Sequence, residues 1–301
     1  MNLPNTTTDT AWDERNDVEI RRIGSASEID HKAAEPYEFV VPGRTGPLDI
    51  VALYAPKESK TLIVTFHGSL QRSKYQLPRF EWRRTLEALD AGVLLIADTT
   101  LELGENMPLG WYIGTTEQTL PDEIAGLIKQ ASADGGYERI VLTGSSGGGY
   151  AAMAVSHRIP GSLAVSFSPQ TRVGDYIPWV HKVLVNAAFP GYATIDDVES
   201  DFPERVNLRR LYAEPEIHNY VRYVQNSNDV GHVEEHYVPF AEVRSIDPVI
   251  GGMDPTGRVR FVLEPMSQGH EPPSRGRFLR HIQEAHEEFF GSKLGESKMD
   301  P

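Results

Sequence analysis

A chain of 301 residues, 40% of them hydrophobic, has enough apolar material for a substantial core. Its 43 acidic against 29 basic residues, a formal net charge of -14, oppose attraction to nucleic acid or anionic lipid. The absence of cysteine excludes disulfides, thiolate metal sites and a cysteine nucleophile.

Residues 1–35 are polar and acidic, with Asp9, Asp13, Glu14, Asp17 and Glu19 near the start, and are expected to form a loosely held arm. They have neither the basic start nor the apolar run of a secretory or mitochondrial leader, so a cytoplasmic location is the default expectation. One domain is expected over 36–292, followed by a flexible tail, 293–301. Tyr37 to Val41 and Leu48 to Tyr54 read as two edge strands joined by the turn-rich Pro42-Gly-Arg-Thr-Gly-Pro47. Thr61 to Phe66 is apolar without alternation, as in a central parallel strand covered on both faces, and it ends at His67-Gly68. Helical spacing runs from Pro78 to Ala91 through Trp82, Leu86 and Leu89, where Arg79, Arg83 and Arg84 would form a solvated face. A buried strand follows at Val93 to Ala97, then a helix at Pro121 to Ala133, closed by Gly135-Gly136. Further strands are expected at Arg139 to Thr143, Ser162 to Phe167, Tyr220 to Gln225 and Arg258 to Leu263. A mostly helical insertion at about 176–211 would act as a lid, and a helix from Phe278 to Phe290 would close the domain. Strands alternating with helices predict an α/β fold: a mainly parallel sheet with helices on both faces. No apolar run approaches the roughly 20 residues of a membrane helix.

The segment Arg139-Ile-Val-Leu-Thr-Gly-Ser-Ser-Gly-Gly-Gly-Tyr150 carries the most chemical information. It runs a strand into Gly-x-Ser-x-Gly and then into helix-forming Ala151-Ala-Met-Ala-Val155, the context of a nucleophile elbow with Ser146 at its corner. Serine needs a base to take its proton and a carboxylate to orient that base. His270, in the Gly/Pro-framed loop after the last strand, is the candidate base, and Asp229, after the preceding strand, the candidate acid, with Asp247 and Asp254 as competitors. In a parallel sheet the carboxyl ends of the strands share one edge, so these three loops can converge. Oxyanion donors are expected from the backbone N–H groups of Gly147 and Ser69. Trp111, Tyr112, Tyr176 and Trp179 are candidate pocket aromatics, although core packing is their commoner use.

Taken together, Phe66-His-Gly-Ser69, Gly144-Ser-Ser-Gly-Gly148, Asp229 and Gly269-His270 resemble the α/β-hydrolase superfamily over residues 37–291. The resemblance implies nucleophile Ser146, acid Asp229, base His270 and oxyanion donors Ser69 and Gly147. It implies a serine hydrolase that acts on a small-molecule or glycan carboxylic ester through an acyl-enzyme, with no cofactor and no metal. Ser146-Gly-Gly-Gly-Tyr150 and the stretch from Val224 to His236 are also similar to α/β-hydrolase-like proteins of bacterial capsule or surface-glycan biosynthesis, which implies an acyltransferase as the alternative. Gly149, a third glycine after the serine, departs from the usual elbow and is expected to loosen the first helical turn.

Two other readings compete. His232-Val-Glu-Glu-His236 matches the His-x-x-Glu-His pattern of a zinc hydrolase, in which Glu235 would be the base and one of Glu264, Glu284, Glu287 or Glu288 a further ligand. The bland account of that pattern is a solvated helix with His and Glu at helical spacing. A binding protein that kept the fold without the chemistry is the other reading.

Overall fold

In the computed structural model, which describes residues 11–214 and 216–295, eleven strands form one sheet in the order β1-β2-β3-β4-β6-β5-β7-β8-β9-β11-β10. They are β1 (Ala11–Asp13), β2 (Val18–Arg22), β3 (Tyr37–Val41), β4 (Ile50–Ala55), β5 (Thr61–Phe66) and β6 (Gly92–Ile96), then β7 (Arg139–Ser145), β8 (Leu163–Phe167), β9 (Tyr220–Asn226), β10 (Gly252–Met253) and β11 (Val259–Glu264). The run β6-β5-β7-β8-β9-β11 is parallel throughout, and antiparallel pairs occur at β1–β2, β3–β4, β4–β6 and β10–β11.

Successive residues of the central strands point to opposite faces. Ile63, Val141, Val165 and Val224 meet Phe278, Ile282 and Ala285 of α10 (Arg275–Phe290). Val64 and Leu142 meet Ile124 and Ile128 of α2 (Leu120–Asp134), together with Ala151 and Val155 of α3 (Gly147–Ser156). Burial on both sides explains why these strands are continuously apolar rather than alternating. No helix among the described residues is long and apolar enough to cross a membrane.

Between β8 and β9 the chain forms α4 (Pro178–Ala188), α5 (Ile195–Asp201), α6 (Pro203–Val206) and α7 (Leu208–Leu211). This insertion is a packed layer: Val180, Leu184, Val198, Val206 and Leu208 are buried against Tyr150 and Met153 of α3. The guanidinium of Arg205 donates to the carbonyls of Ile113 at 2.7 Å and Gln118 at 3.0 Å, and Tyr150 Oη donates to the Arg205 carbonyl at 2.8 Å.

Three expectations change. Residues 11–22, expected in a loose arm, form β1 and β2, which extend the sheet beyond β3. Consequently β3 and β4 are not edge strands. Backbone pairing holds those mostly polar residues, with Val18 buried in the core and Ile20 packed against it as a sparse hydrophobic signature, and residues 1–10 lie outside the described residues. The helix expected over Pro78 to Ala91 shrinks to α1 (Arg83–Leu86), because Trp82 takes a left-handed φ of 67° that no right-handed helix passes through. Its indole stacks on Phe278 at 4.0 Å, so the apolar spacing serves a packed turn. Of the expected tail, Leu294 is buried and the Gly295 carbonyl accepts from the Asp90 amide at 2.8 Å, whereas residues 296–301 lie outside the described residues.

Candidate active site

Ser146 occupies the corner between β7 and α3 with φ 57° and ψ -123°. A non-glycine residue there costs about 1–3 kcal/mol and persists only when its surroundings over-determine it. They do so here. The Ser146 amide donates to the Phe167 carbonyl at 2.8 Å, and its own carbonyl accepts from the Tyr150 amide at 3.0 Å. The flanking glycines are required by close approach: a Cβ on Gly148 would lie 2.3 Å from the Phe66 carbonyl oxygen, and one on Gly144 2.5 Å from the Gly148 backbone. The third glycine corrects the expectation of a loosened turn. α3 is regular from its first residue, and Gly149 packs so tightly that a Cβ there would meet Ser166 Oγ at 2.5 Å.

The parallel order β5-β7-β8-β9-β11 brings the loops after these strands to one edge. His270 Nε2 lies 2.8 Å from Ser146 Oγ, and His270 Nδ1 lies 2.7 Å from Asp229 Oδ2. Burial pushes the Asp229 carboxyl up, but the hydrogen bond from His270 and the nearby imidazoles outweigh it and hold the group below its usual range. The competing aspartates are engaged elsewhere. Asp254 pairs with Arg244 at 2.6 Å, and Asp247 accepts from the Val249 amide in a turn.

Gly68 abuts the serine: a Cβ on it would lie 3.6 Å from Ser146 Cβ. Ser69 is therefore next to the corner, and Gly147, as the first residue of α3, has an N–H without an intrahelical partner. His67 holds this turn. Its Nδ1 is 2.8 Å from the Gly68 carbonyl, to which it donates, while Nε2 accepts from the Asp98 amide at 3.1 Å. Complete burial pushes the His67 imidazole down to about 4, so it is neutral.

Sequence reasoning missed two amides. Asn226 ends β9 and is almost wholly buried. Its Oδ1 accepts from the Asn228 and Met266 amides, and its Nδ2 donates to the Ser267 and Gly269 carbonyls at 2.7 and 3.0 Å. It thus clips the loop carrying His270 to the loop carrying Asp229. Gln170, after β8, is fully buried with Nε2 2.9 Å from Ser146 Oγ. Neither belongs to a motif: Asn226 is the polar last residue of β9, and Gln170 lies three residues beyond the end of the apolar strand β8.

His232 and His236 are buried, not displayed on a solvated helix. They lie on the continuous turn formed by α8 (Val230–His232), a π-helical turn (Val233–Tyr237) and α9 (Val238–Val243). Burial drives His236 down to about 3, with the Arg209 guanidinium adding to the effect, and drives His232 well below its ordinary value. The carboxylates expected to complete a zinc site lie at the end of β11 and along α10 and are paired with cations. Glu264 pairs with Arg280 at 2.7 Å, Glu288 with Arg222 at 3.1 Å, Glu287 with Lys293 at 3.9 Å and Glu284 with Arg222.

A cleft of about 380 Å³ opens beside His270 and Asp229, walled by Tyr176, Ile177 and His232. A larger one, about 820 Å³, lies by β1, β2 and α1 and includes none of Ser146, Asp229 and His270, whereas the smaller cleft is lined by Asp229 and His270 but not by Ser146. Of the candidate aromatics, Trp111 and Tyr112 are buried, Tyr176 is at the cleft and Trp179 is exposed.

No protein-family model matches the sequence, and no curated protein matches it. Solved structures do. The capsule O-acetyltransferase of Neisseria meningitidis serogroup A, as a mutant in complex with CoA, aligns with a TM-score of 0.58 at 17% identity, covering 78% of this chain and 91% of that one. An S-formylglutathione hydrolase from Agrobacterium tumefaciens aligns at 0.55 and 14%, covering 84% and 95%. The fluorophosphonate-binding serine hydrolase FphF of Staphylococcus aureus aligns at 0.50 and 13%, covering 83% and 96%. Identities this low speak for the fold alone. The chain has the α/β-hydrolase fold, with Ser146 at the sharp turn between β7 and α3.

Proposed function

We propose that this protein is a serine hydrolase acting on a carboxylic ester through an acyl-enzyme. The observation that carries the reading is the unbroken hydrogen-bonded line Ser146–His270–Asp229, anchored on a serine held at positive φ. Ser146 Oγ attacks the ester carbonyl carbon while its proton passes to His270 Nε2, and the Asp229 carboxylate stabilises the imidazolium. The amides of Gly147 and Ser69 receive the oxyanion. Collapse breaks the bond to the leaving alkoxide, which takes the proton from His270. Water then attacks the acyl carbon with His270 as base, releasing the carboxylic acid and restoring the serine.

A second reading, acyl transfer, draws support from the likeness to a capsule O-acetyltransferase and from the cleft that opens beside His270. There an acceptor hydroxyl replaces water, and a new ester leaves instead of an acid. A glycan hydroxyl is the acceptor expected from the sequence resemblance, with Tyr176 as a stacking surface.

Fluorophosphonate labelling with peptide mapping tests both. Modification of Ser146 in folded protein is expected, with label and ester turnover lost in Ser146→Ala and turnover falling roughly 10⁴-fold or more in His270→Ala. Unlabelled wild type would favour a binding protein on a hydrolase fold. Product analysis with and without a sugar acceptor separates hydrolysis from transfer.

A further inference from the structure

We propose that Gln170, turned by Trp111, is a further catalytic residue that donates to the nucleophile oxygen and fixes the direction in which its proton leaves. The role rests on Ser146 being the nucleophile. Gln170 Oε1 is 3.1 Å from Trp111 Nε1, and Gln170 Nε2 is 2.9 Å from Ser146 Oγ and 3.4 Å from His232 Nε2. An indole N–H can only donate, so the carbonyl end of the amide must face Trp111. The NH2 end therefore faces Ser146, and a flipped amide would set two donors against each other.

Both ends of this arrangement are rigid. Trp111 sits at φ 50° in a loop whose Gly110 and Tyr112 amides each donate to the Asp98 carboxylate at 3.1 Å. Gln170 lies between Pro169, whose carbonyl accepts from Tyr223 Oη at 3.2 Å, and Thr171, whose amide donates to His236 Nδ1 at 3.3 Å. Trp111 and Gln170 are both fully buried, so water does not compete for these bonds.

The consequence for Ser146 is a favoured polarity. Gln170 Nε2 can only donate, so it takes one lone pair of Ser146 Oγ and leaves His270 Nε2 as the neighbour that can accept the hydroxyl proton. In the His270 tautomer that carries its hydrogen on Nδ1, toward Asp229, donation runs one way, from Trp111 to Gln170, Ser146, His270 and Asp229. As the proton departs, charge builds on Oγ and the bond from Gln170 becomes charge-assisted, hence stronger. Once the acyl bond forms, the same oxygen is a weak ester acceptor. The interaction thus strengthens mainly while Oγ is anionic, which makes it differential and able to raise kcat.

The test reads the second-order fluorophosphonate labelling rate at Ser146 together with kcat and KM for an ester, on thermally intact protein. Gln170→Met keeps the shape without the donor and is expected to lower labelling and kcat by about 10- to 100-fold with KM little changed. Trp111→Phe leaves the donor but frees the amide to turn, so a smaller loss is expected. The double variant should be no worse than Gln170→Met alone, since the indole acts only through the amide. Should Gln170→Met fail to fold, Gln170→Asn serves, being one methylene too short to reach Trp111 and Ser146 together. Wild-type labelling rates in the folded Gln170 variants, or full additivity in the double variant, would overturn the role and leave Ser146 as nucleophile. Wild-type protein unlabelled at Ser146 would overturn the function reading and the role with it.

Discussion

The imidazole of His232 lies flat against that of His270, their centroids 3.9 Å apart and their planes within 18° of parallel. Asp229, His232 and His270 do offer ligand atoms within 4.8 Å of one another. Yet lone pairs in two stacked rings point in nearly parallel planes and do not converge on one ion, and both His270 nitrogens are already engaged. His232 is better described as a neutral wall that keeps the His270 ring upright.

Turnover is therefore expected to survive prolonged dialysis against EDTA or a phenanthroline unchanged within error, while Ser146→Ala abolishes it. Chelator-sensitive activity that persists in Ser146→Ala would restore the His232-x-x-Glu235-His236 zinc reading.

Gly149 sets a second prediction, one of packing. A Cβ there meets Ser166 Oγ at 2.5 Å, and that hydroxyl is buried without a partner. Gly149→Ala is expected to destabilise the protein by about 1–3 kcal/mol through overpacking at the base of the elbow. Adding Ser166→Ala removes the opposing oxygen and should recover part of the loss, leaving the Gly144 carbonyl at 3.1 Å and Pro169 Cβ at 3.2 Å as residual contacts. Denaturant unfolding of the two single variants and the double checks this. Equal midpoints for Gly149→Ala and the double variant would mean that the clash is not with Ser166.

Much of this architecture was legible in the chain because burial on both faces writes itself as short apolar runs, and Gly-x-Ser-x-Gly between strand and helix writes itself as spacing. Loops that follow parallel strands must meet at one edge, which is why Ser146, Asp229 and His270 could be named together from three distant segments. What stayed hidden has a common physical cause. β1 and β2 pair through main-chain bonds that any sequence supplies, with Val18 and Ile20 of β2 too sparse to mark a strand, Trp82 turns left-handed under a tertiary stack on Phe278, and Asn226 and Gln170 act through amides whose partners are remote in sequence. His232 and His236 misled for the opposite reason, since the spacing that marks a metal motif or an exposed face also places two imidazoles in one buried row.

The buried imidazoles also predict how stability depends on pH. His236 is fully buried, with its pKa driven down to about 3 by burial, against an unfolded value of 6.5. A group depressed in this way binds its proton in the unfolded chain first. Its contribution is fully present above pH 6.5 and is lost progressively as pH falls toward 3. Between those limits unfolding takes up one proton at this site, a slope of up to about 1.4 kcal/mol per pH unit. His67, depressed to about 4, adds in the same direction, whereas Glu38 and Asp98, raised by burial to about 7 and about 6, oppose it. The clean observable is consequently a difference between proteins. Unfolding free energy measured from about pH 6.5 down to about 4.5 should fall less steeply in His236→Gln than in wild type, by up to that one-proton slope. Parallel curves for the two would show that His236 takes up no proton when the fold opens.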